Sequence, residues 1–158
     1  MARARRIACY WAIHGEIDCG PIAAEAWERG RDIFLPVLRS GGLAFAPWRP
    51  GCSMAANRYG IPEPCDATGM LTAGQIDVVL APLVAFDSTG TRLGMGGGYY
   101  DRSLRLLARR RHWSRPRYIG LAHAFQHVDH LDKRAWDVPL HAVVTECGVF
   151  RFHVQRTK

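Results

Sequence analysis

The apolar residues of this chain fall into short runs separated by helix-like stretches, and that alternation predicts an α/β fold. Ile7 to Ile13 (IACYWAI) is a β-compatible run, and Asp18-Cys19-Gly20-Pro21 after it offers a helix start with proline near the first turn. The helix is expected from about Pro21 to Arg29, with Ile22, Ala23, Ala26 and Trp27 as its apolar stripe and Gly30 closing it. Asp32 to Leu38 (DIFLPVL) reads as a second strand, so one helix joins two strands and the strands must be parallel. Leu43 to Ala46 suggests a short third strand, and Pro47 to Gly74 reads as a long loop with Gly60 to Pro64 as its most ordered part.

Gln75 to Val84 (QIDVVLAPLV) is nearly continuous in apolar residues, the mark of a central strand covered on both faces. Tyr100 to Arg111 is expected as a helix, with Leu104, Leu106, Leu107 and Ala108 apolar and arginines opposite. Tyr118 to Ala122, Ala142 to Thr145 and Gly148 to Val154 read as later strands. No internal repeat or linker interrupts the pattern, so residues 1–158 are expected to form one domain.

Composition narrows this picture. Of 158 residues, 48% are hydrophobic and 22% charged, as in soluble globular proteins, and no apolar run approaches the roughly 20 residues of a membrane span. The five cysteines (Cys9, Cys19, Cys52, Cys65, Cys147) are widely spaced without a C-x-x-C pair, which suits a reducing, cytoplasmic setting better than a disulfide framework. The formal charge is +7, and 19 of the 21 basic residues are arginine. The cluster Arg105, Arg109, Arg110, Arg111, Arg115 and Arg117 reads first as a solvated face, because it lacks interleaved aromatics or a nucleic-acid-binding module. No nucleic-acid or membrane partner is expected, while a positive field suits an anionic small molecule.

Candidate chemistry concentrates in Asp87 to Arg102 (DSTGTRLGMGGGYYDR). Gly94, Gly96, Gly97 and Gly98 precede a helix, where successive backbone N–H groups can form a nest for phosphate oxygens. The loop matches neither the P-loop nor the G-x-G-x-x-G fingerprint, since Tyr99 stands where the last glycine would be, so an ordinary tight turn competes with the phosphate reading. Arg92 could supply counter-charge and Asp101 an oxygen ligand for Mg²⁺. Tyr99 and Tyr100 could line a planar ligand or pack in the core. Asp137, between apolar residues, reads on its own as a turn or cap aspartate. Glu16, after the first strand, could bind a ligand or sit at a helix N-terminus. His123, His127 and His130 lack the glutamate of H-E-x-x-H, and zinc is discounted.

Taken together, Asp77 to Asp87 and Arg92 to Arg102 resemble the signature of the 5-formyltetrahydrofolate cyclo-ligase (methenyltetrahydrofolate synthetase) family. Tyr10 to Asp18, Gly30 to Pro36, Gly60 to Pro64, Ile119 to Ala122, Gln126, Trp136 to Leu140 and Val144 to Glu146 resemble its other motifs, so the likeness covers essentially the whole chain. The resemblance implies a three-layer, open, mostly parallel α/β sheet flanked by helices, Rossmann-like and CoA-transferase-like. It implies ATP-dependent conversion of 5-formyltetrahydrofolate to 5,10-methenyltetrahydrofolate, in a monomer or homodimer. Arg92, Tyr100 and Asp101 would act in catalysis, and Arg92, Leu93, Gly94, Met95, Gly96, Gly97, Gly98, Tyr99 and Tyr100 would bind ATP. Trp11, Glu16 and the Met95 to Tyr99 segment would meet the folate, and Asp101 with Asp137 would hold Mg²⁺. On that reading Asp101→Asn impairs use of Mg-ATP far more than folding. Such proteins usually begin with a further helix whose Lys and Arg residues contact ATP, before the strand that here starts at Ile7. Arg3, Arg5 and Arg6 lie too near that strand to replace it, so the alternative expectation is a silent nucleotide- or folate-binding protein.

Overall fold

The structure, a computed structural model, describes residues 4–108 and 115–152. Arg3, Arg109 to Arg111 and the end of the last expected strand at Val154 lie outside the described residues. In chain order the elements are β1 (Arg6–Ala8), α1 (Gly20–Glu28), β2 (Asp32–Arg39), β3 (Gly42–Pro47), β4 (Met54–Ala56), β5 (Pro62–Pro64), β6 (Val78–Ala81), β7 (Ala85–Phe86), β8 (Arg92–Leu93), α2 (Tyr99–Ala108), β9 (Arg117–Leu121), β10 (Ala142–Thr145) and β11 (Gly148–Arg151).

Seven strands form one sheet in the order β11-β10-β9-β6-β1-β2-β3. The inner five are parallel, and the edge strands β3 and β11 join as antiparallel hairpins, so the sheet is mixed. Because successive strand residues point to opposite faces, the sheet divides its core in two. Ile33, Leu35, Val78, Leu80, Ile119 and Leu121 pack on one face with Ala23 and Ala26 of α1. Phe34, Phe45, Val79, Ala81, Tyr118 and Val143 pack on the other with Leu104 and Leu107 of α2. This is the three-layer, mostly parallel arrangement expected from the sequence.

Several boundaries differ from expectation for identifiable reasons. The apolar run Ile7 to Ile13 forms a strand only as far as Ala8. Cys9 N–H still reaches Phe34 O at 2.9 Å, but the chain then leaves the sheet, and the Tyr10 hydroxyl donates to Ile17 O at 2.7 Å. The run is apolar because Cys9 and Tyr10 are buried off the ladder. Within Gln75 to Val84 only Val78–Ala81 is strand. A 3₁₀ turn (Ala73–Gln75) precedes it, and Pro82, lacking an N–H, follows its last residue. The stretch read as a loop holds the small β4–β5 hairpin. Leu106, expected among the buried leucines of α2, is 69% exposed. Gly30 does close α1, with φ of 66°.

The unequal strand lengths create the cleft. β1 pairs with β2 only as far as Ala8 opposite Phe34, while β2 and β3 continue as a hairpin to the Arg39–Gly42 pair. Pro36 therefore sits where β2 has no ladder partner on its β1 side, and the projecting hairpin becomes a wall above the carboxyl ends of the parallel strands.

Candidate active site

A cavity of about 1280 Å³ opens at that carboxyl edge, where ligands bind in open α/β sheets. Besides the β2–β3 hairpin at Pro36, Leu38 and Leu43, four segments wall it in: Tyr10 to Glu16 after β1, the β4–β5 hairpin tip from Asn57 to Glu63, the glycine loop with the start of α2, and Leu131 to Asp137.

The first wall is a tight turn. His14 and Gly15 have φ of 51° and 82°, Glu16 N–H donates to Ile13 O at 3.0 Å, and Ile13 N–H donates back to Glu16 Oε2 at 3.0 Å. Burial raises the pKa of Glu16, against the lowering effects of the Ile13 N–H and of His14. Trp11 stands beside it, 38% exposed and edge-on to Trp48 at 6.1 Å. Sequence reasoning placed Trp11 and Glu16 together, and both line the cavity.

The glycine loop faces them. Gly96 and Gly98 have φ of 84° and 60°, a region that side chains with a Cβ rarely adopt. A Cβ on Gly97 would lie 2.8 Å from the Tyr99 ring. Among the described residues, the backbone N–H groups of Gly96, Gly97 and Gly98 donate no hydrogen bond. They are open donors beside the N-terminus of α2, which begins at Tyr99.

Behind the loop, Arg92 and Asp101 close on each other. Arg92 Nη2 donates to Asp101 Oδ2 at 2.9 Å, with the side chains 7% and 16% exposed. The guanidinium carbon lies 5.8 Å from the Tyr100 ring centre and 5.3 Å from that of Tyr118. Burial opposes the charge on Arg92, but contacts with Tyr118 and Asp101 outweigh it and keep the group protonated. Burial also pushes both phenols up, so they are neutral and Asp101 is the anion answering Arg92. The second Asp101 oxygen accepts Val138 N–H at 3.0 Å. Asp137, the neighbour of Val138, accepts Arg134 N–H through Oδ2 at 2.8 Å, the geometry of a turn aspartate, and lines the cavity as well.

For Mg²⁺ the fit is partial but chemically suitable. One or two carboxylates beside phosphates are the usual protein contribution, and Asp101 and Asp137 both line this cavity, from two of its walls. No three His, Cys, Asp or Glu side chains converge here or anywhere else among the described residues. The three histidines considered for zinc go separate ways: His123 stacks on Phe125, His127 on Phe86, and His130 faces Asp132.

The chain matches the pattern of the 5-formyltetrahydrofolate cyclo-ligase family over residues 1–146. It belongs to that family. The 5-formyltetrahydrofolate cyclo-ligase of Escherichia coli K12 is 39% identical over 158 aligned positions, spanning 96% of this chain and 84% of the relative. The NMR structure of Aquifex aeolicus 5,10-methenyltetrahydrofolate synthetase superposes with a TM-score of 0.78 at 30% identity, covering 99% of this chain and 76% of that one. The Mycoplasma pneumoniae 5,10-methenyltetrahydrofolate synthetase follows at 0.66 and 27%, covering 89% and 73%.

Within this cyclo-ligase-family cavity, the structure also brings in residues that sequence reasoning did not single out. Asn57, Tyr59 and Glu63 arrive on the β4–β5 hairpin. Glu63 Oε1 accepts Leu38 N–H at 3.0 Å and Asn57 Nδ2 at 2.7 Å, tying the hairpin to β2. The signal was present in Gly60 to Pro64, but three-residue strands flanked by proline carry no readable period. Arg102 and Arg105, three apart on α2, also line the cavity and have no carboxylate partner among the described residues.

Proposed function

We propose that this chain carries out the ATP-dependent cyclisation of 5-formyltetrahydrofolate to 5,10-methenyltetrahydrofolate. The observation that carries the reading is the open N–H nest of Gly96 to Gly98 facing Trp11 and Glu16 across one cavity, in a chain of the cyclo-ligase family. A nest suits polyphosphate, and the Trp11–Glu16 wall offers a planar, hydrogen-bonding ligand an aromatic edge and a carboxyl group.

In the reaction so proposed, the formyl oxygen forms a bond to the γ-phosphorus of ATP as the bond to ADP breaks. N10 then attacks the activated carbon, phosphate leaves with the carbon–oxygen electron pair, and N10 gives up its proton. Phosphoryl transfer asks chiefly for positioning and charge neutralisation. The glycine N–H groups would fix the phosphates, and Arg102 and Arg105 would supply unpaired positive charge. Arg92 would act through Asp101, holding the start of α2, and Tyr100 would pack above it. Glu16, with its raised pKa, is suited to hydrogen-bonding folate nitrogens. Asp137 and Asp101 would hold Mg²⁺, which would neutralise phosphate charge when bound. The free thiols and the absence of a helix long and apolar enough to cross a membrane among the described residues support a cytoplasmic setting.

The test is formation of methenyltetrahydrofolate followed by absorbance with Mg-ATP and 5-formyltetrahydrofolate. Product that requires both substrates is expected. Calorimetric binding of either ligand without turnover would overturn catalysis and leave a binding protein.

A further inference from the structure

The β4–β5 hairpin tip meets Tyr99, the first residue of α2 after the glycine loop, through several contacts. Arg58 Nη2 donates to the Tyr99 hydroxyl, and the Tyr59 and Tyr99 hydroxyls lie 3.1 Å apart. The Tyr59 and Tyr99 rings meet edge-on at 6.3 Å, while the Arg58 guanidinium lies 5.0 Å from the first ring centre and 5.9 Å from the second. Arg102 covers Tyr99 at 4.6 Å. On its inner side the Tyr99 ring presses against Gly97, closely enough that no Cβ fits there.

The hairpin tip is itself braced. Asn57 Oδ1 accepts the N–H groups of Tyr59 and Ile61 at 2.8 and 3.2 Å, and Glu63 joins Asn57 to the backbone of β2. A chain of contacts therefore runs from the sheet through Glu63 and Asn57 to Arg58 and Tyr59, then through Tyr99 to Gly97. Among the described residues the N–H groups of Gly96 to Gly98 donate no backbone hydrogen bond, and of their carbonyls only Gly98 O is engaged, by Arg102 N–H at 3.0 Å, so this bracing supplies from outside much of what the loop lacks.

We infer that Arg58 and Tyr59 are positioning residues that set the glycine loop through Tyr99 and so govern affinity for the nucleotide. The inference rests on the proposed function for the identity of the ligand, but the contacts exist without it. Arg58 holds the loop by a forked, planar group that both donates to the phenol and covers two rings. A lysine ammonium can donate or sit over a ring, but as a compact point charge it lacks the planar fork that does both at once, so the arrangement favours arginine.

The experiment compares Arg58→Ala, Arg58→Lys, Tyr99→Phe and the double variant Arg58→Ala/Tyr99→Phe with the unaltered chain. Loss of a hydrogen bond to a charged donor predicts a KM for Mg-ATP raised about tenfold in each single variant. In the Arg58 variants the kcat is expected within about twofold, and the folate KM is expected to hold, because a positioning defect in the nest reports on the nucleotide. Arg58→Lys is expected to resemble Arg58→Ala. The double variant is expected to be no worse than the poorer single one, since both remove the same contact. A KM for ATP unchanged in both singles, or a double effect equal to the product of the singles, would overturn the inference. Hydrogen exchange of the 94–98 amides in the ligand-free protein gives a readout independent of turnover. Faster exchange in Arg58→Ala and Tyr99→Phe supports the bracing, and unchanged exchange rejects it. If the unaltered chain shows no turnover, the proposed function fails and the exchange result alone decides the inference.

Discussion

Each end of the central sheet carries an aspartate paired with an arginine, and the two pairs differ in what surrounds them. At the amino end Asp77 accepts the N–H groups of Arg5 and Arg6 through Oδ2 at 2.9 and 3.0 Å, and Oδ1 meets Arg115 at 2.8 Å. Its arginine is 60% exposed. At the carboxyl end Arg92 is 7% exposed and enclosed by Tyr100 and Tyr118, and its aspartate also holds the backbone of Val138. The first pair laces strand starts together in contact with water, which can replace much of what is lost when the pair is broken. The second is sealed, so breaking it strands a charge. Burial, rather than the identity of the partners, separates a fastening from a foundation.

The largest expected effect comes from Asp101→Asn. It leaves Arg92 buried without an anion, and we expect a loss of about 3 kcal/mol in urea unfolding together with a fall in kcat/KM of about a hundredfold. The buried pair thus adds a folding defect to the purely catalytic defect implied by a metal-holding role. An unfolding free energy within about 0.5 kcal/mol of the unaltered chain would show that Arg92 finds water instead.

Acid provides the next way to set the ends apart. His141, near the amino end, accepts Tyr118 N–H through Nδ1 at 3.0 Å, and burial lowers its pKa to about 4. Its folded value lies below its unfolded value, so the unfolded chain binds the extra proton. The stabilisation is full above the unfolded value of about 6.5 and is lost as pH falls toward about 4. We expect this to remove about 2 kcal/mol across that window, allowing for partial exposure, and His141→Asn to remove the slope between about pH 5 and 6.5. Glu16 at the site has the opposite sign: its pKa is raised by burial, so the stabilisation linked to its protonated form is lost as pH rises through its folded value.

Asp77→Asn is expected to cost about 1–2 kcal/mol, because backbone donors lose a charged acceptor while the arginine stays wet. Activity should stay within about twofold, measured alongside thermal unfolding. The smallest effect is expected from Arg5→Ala. Arg5 lies 3.7 Å from Asp32 with the side chains 76% and 41% exposed, and the unfolding free energy should move by less than about 0.5 kcal/mol.

Much of this fold was legible because buried strands and α1 carry dense local signals. Gln75 to Val84 stood out as an apolar run around the strand Val78–Ala81, and Gly30 marked the end of its helix. The glycine cluster likewise marked the cavity, since backbone geometry of that kind is written directly in residue type. Side-chain pairings were harder to read. Arg92 and Asp101 are nine residues apart across a turn, and Arg58 reaches Tyr99 from 41 residues away; neither separation leaves a period in the chain. Asp87 was noted only as the start of a stretch, yet it is 1% exposed and accepts Thr89, Thr91 and Leu131 N–H groups. Those donors outweigh the effect of burial and lower its pKa.

That buried carboxylate has a mechanical consequence. The segment that forms one wall of the cavity is pinned at Leu131 by Asp87, at 3.1 Å, and at Val138 by Asp101, at 3.0 Å. Between those two supports the span carries Asp132, Arg134, Trp136 and Asp137, all lining the cavity. Both ends of that cavity wall thus hang on buried carboxylates, and removing either Asp87 or Asp101 releases one of them.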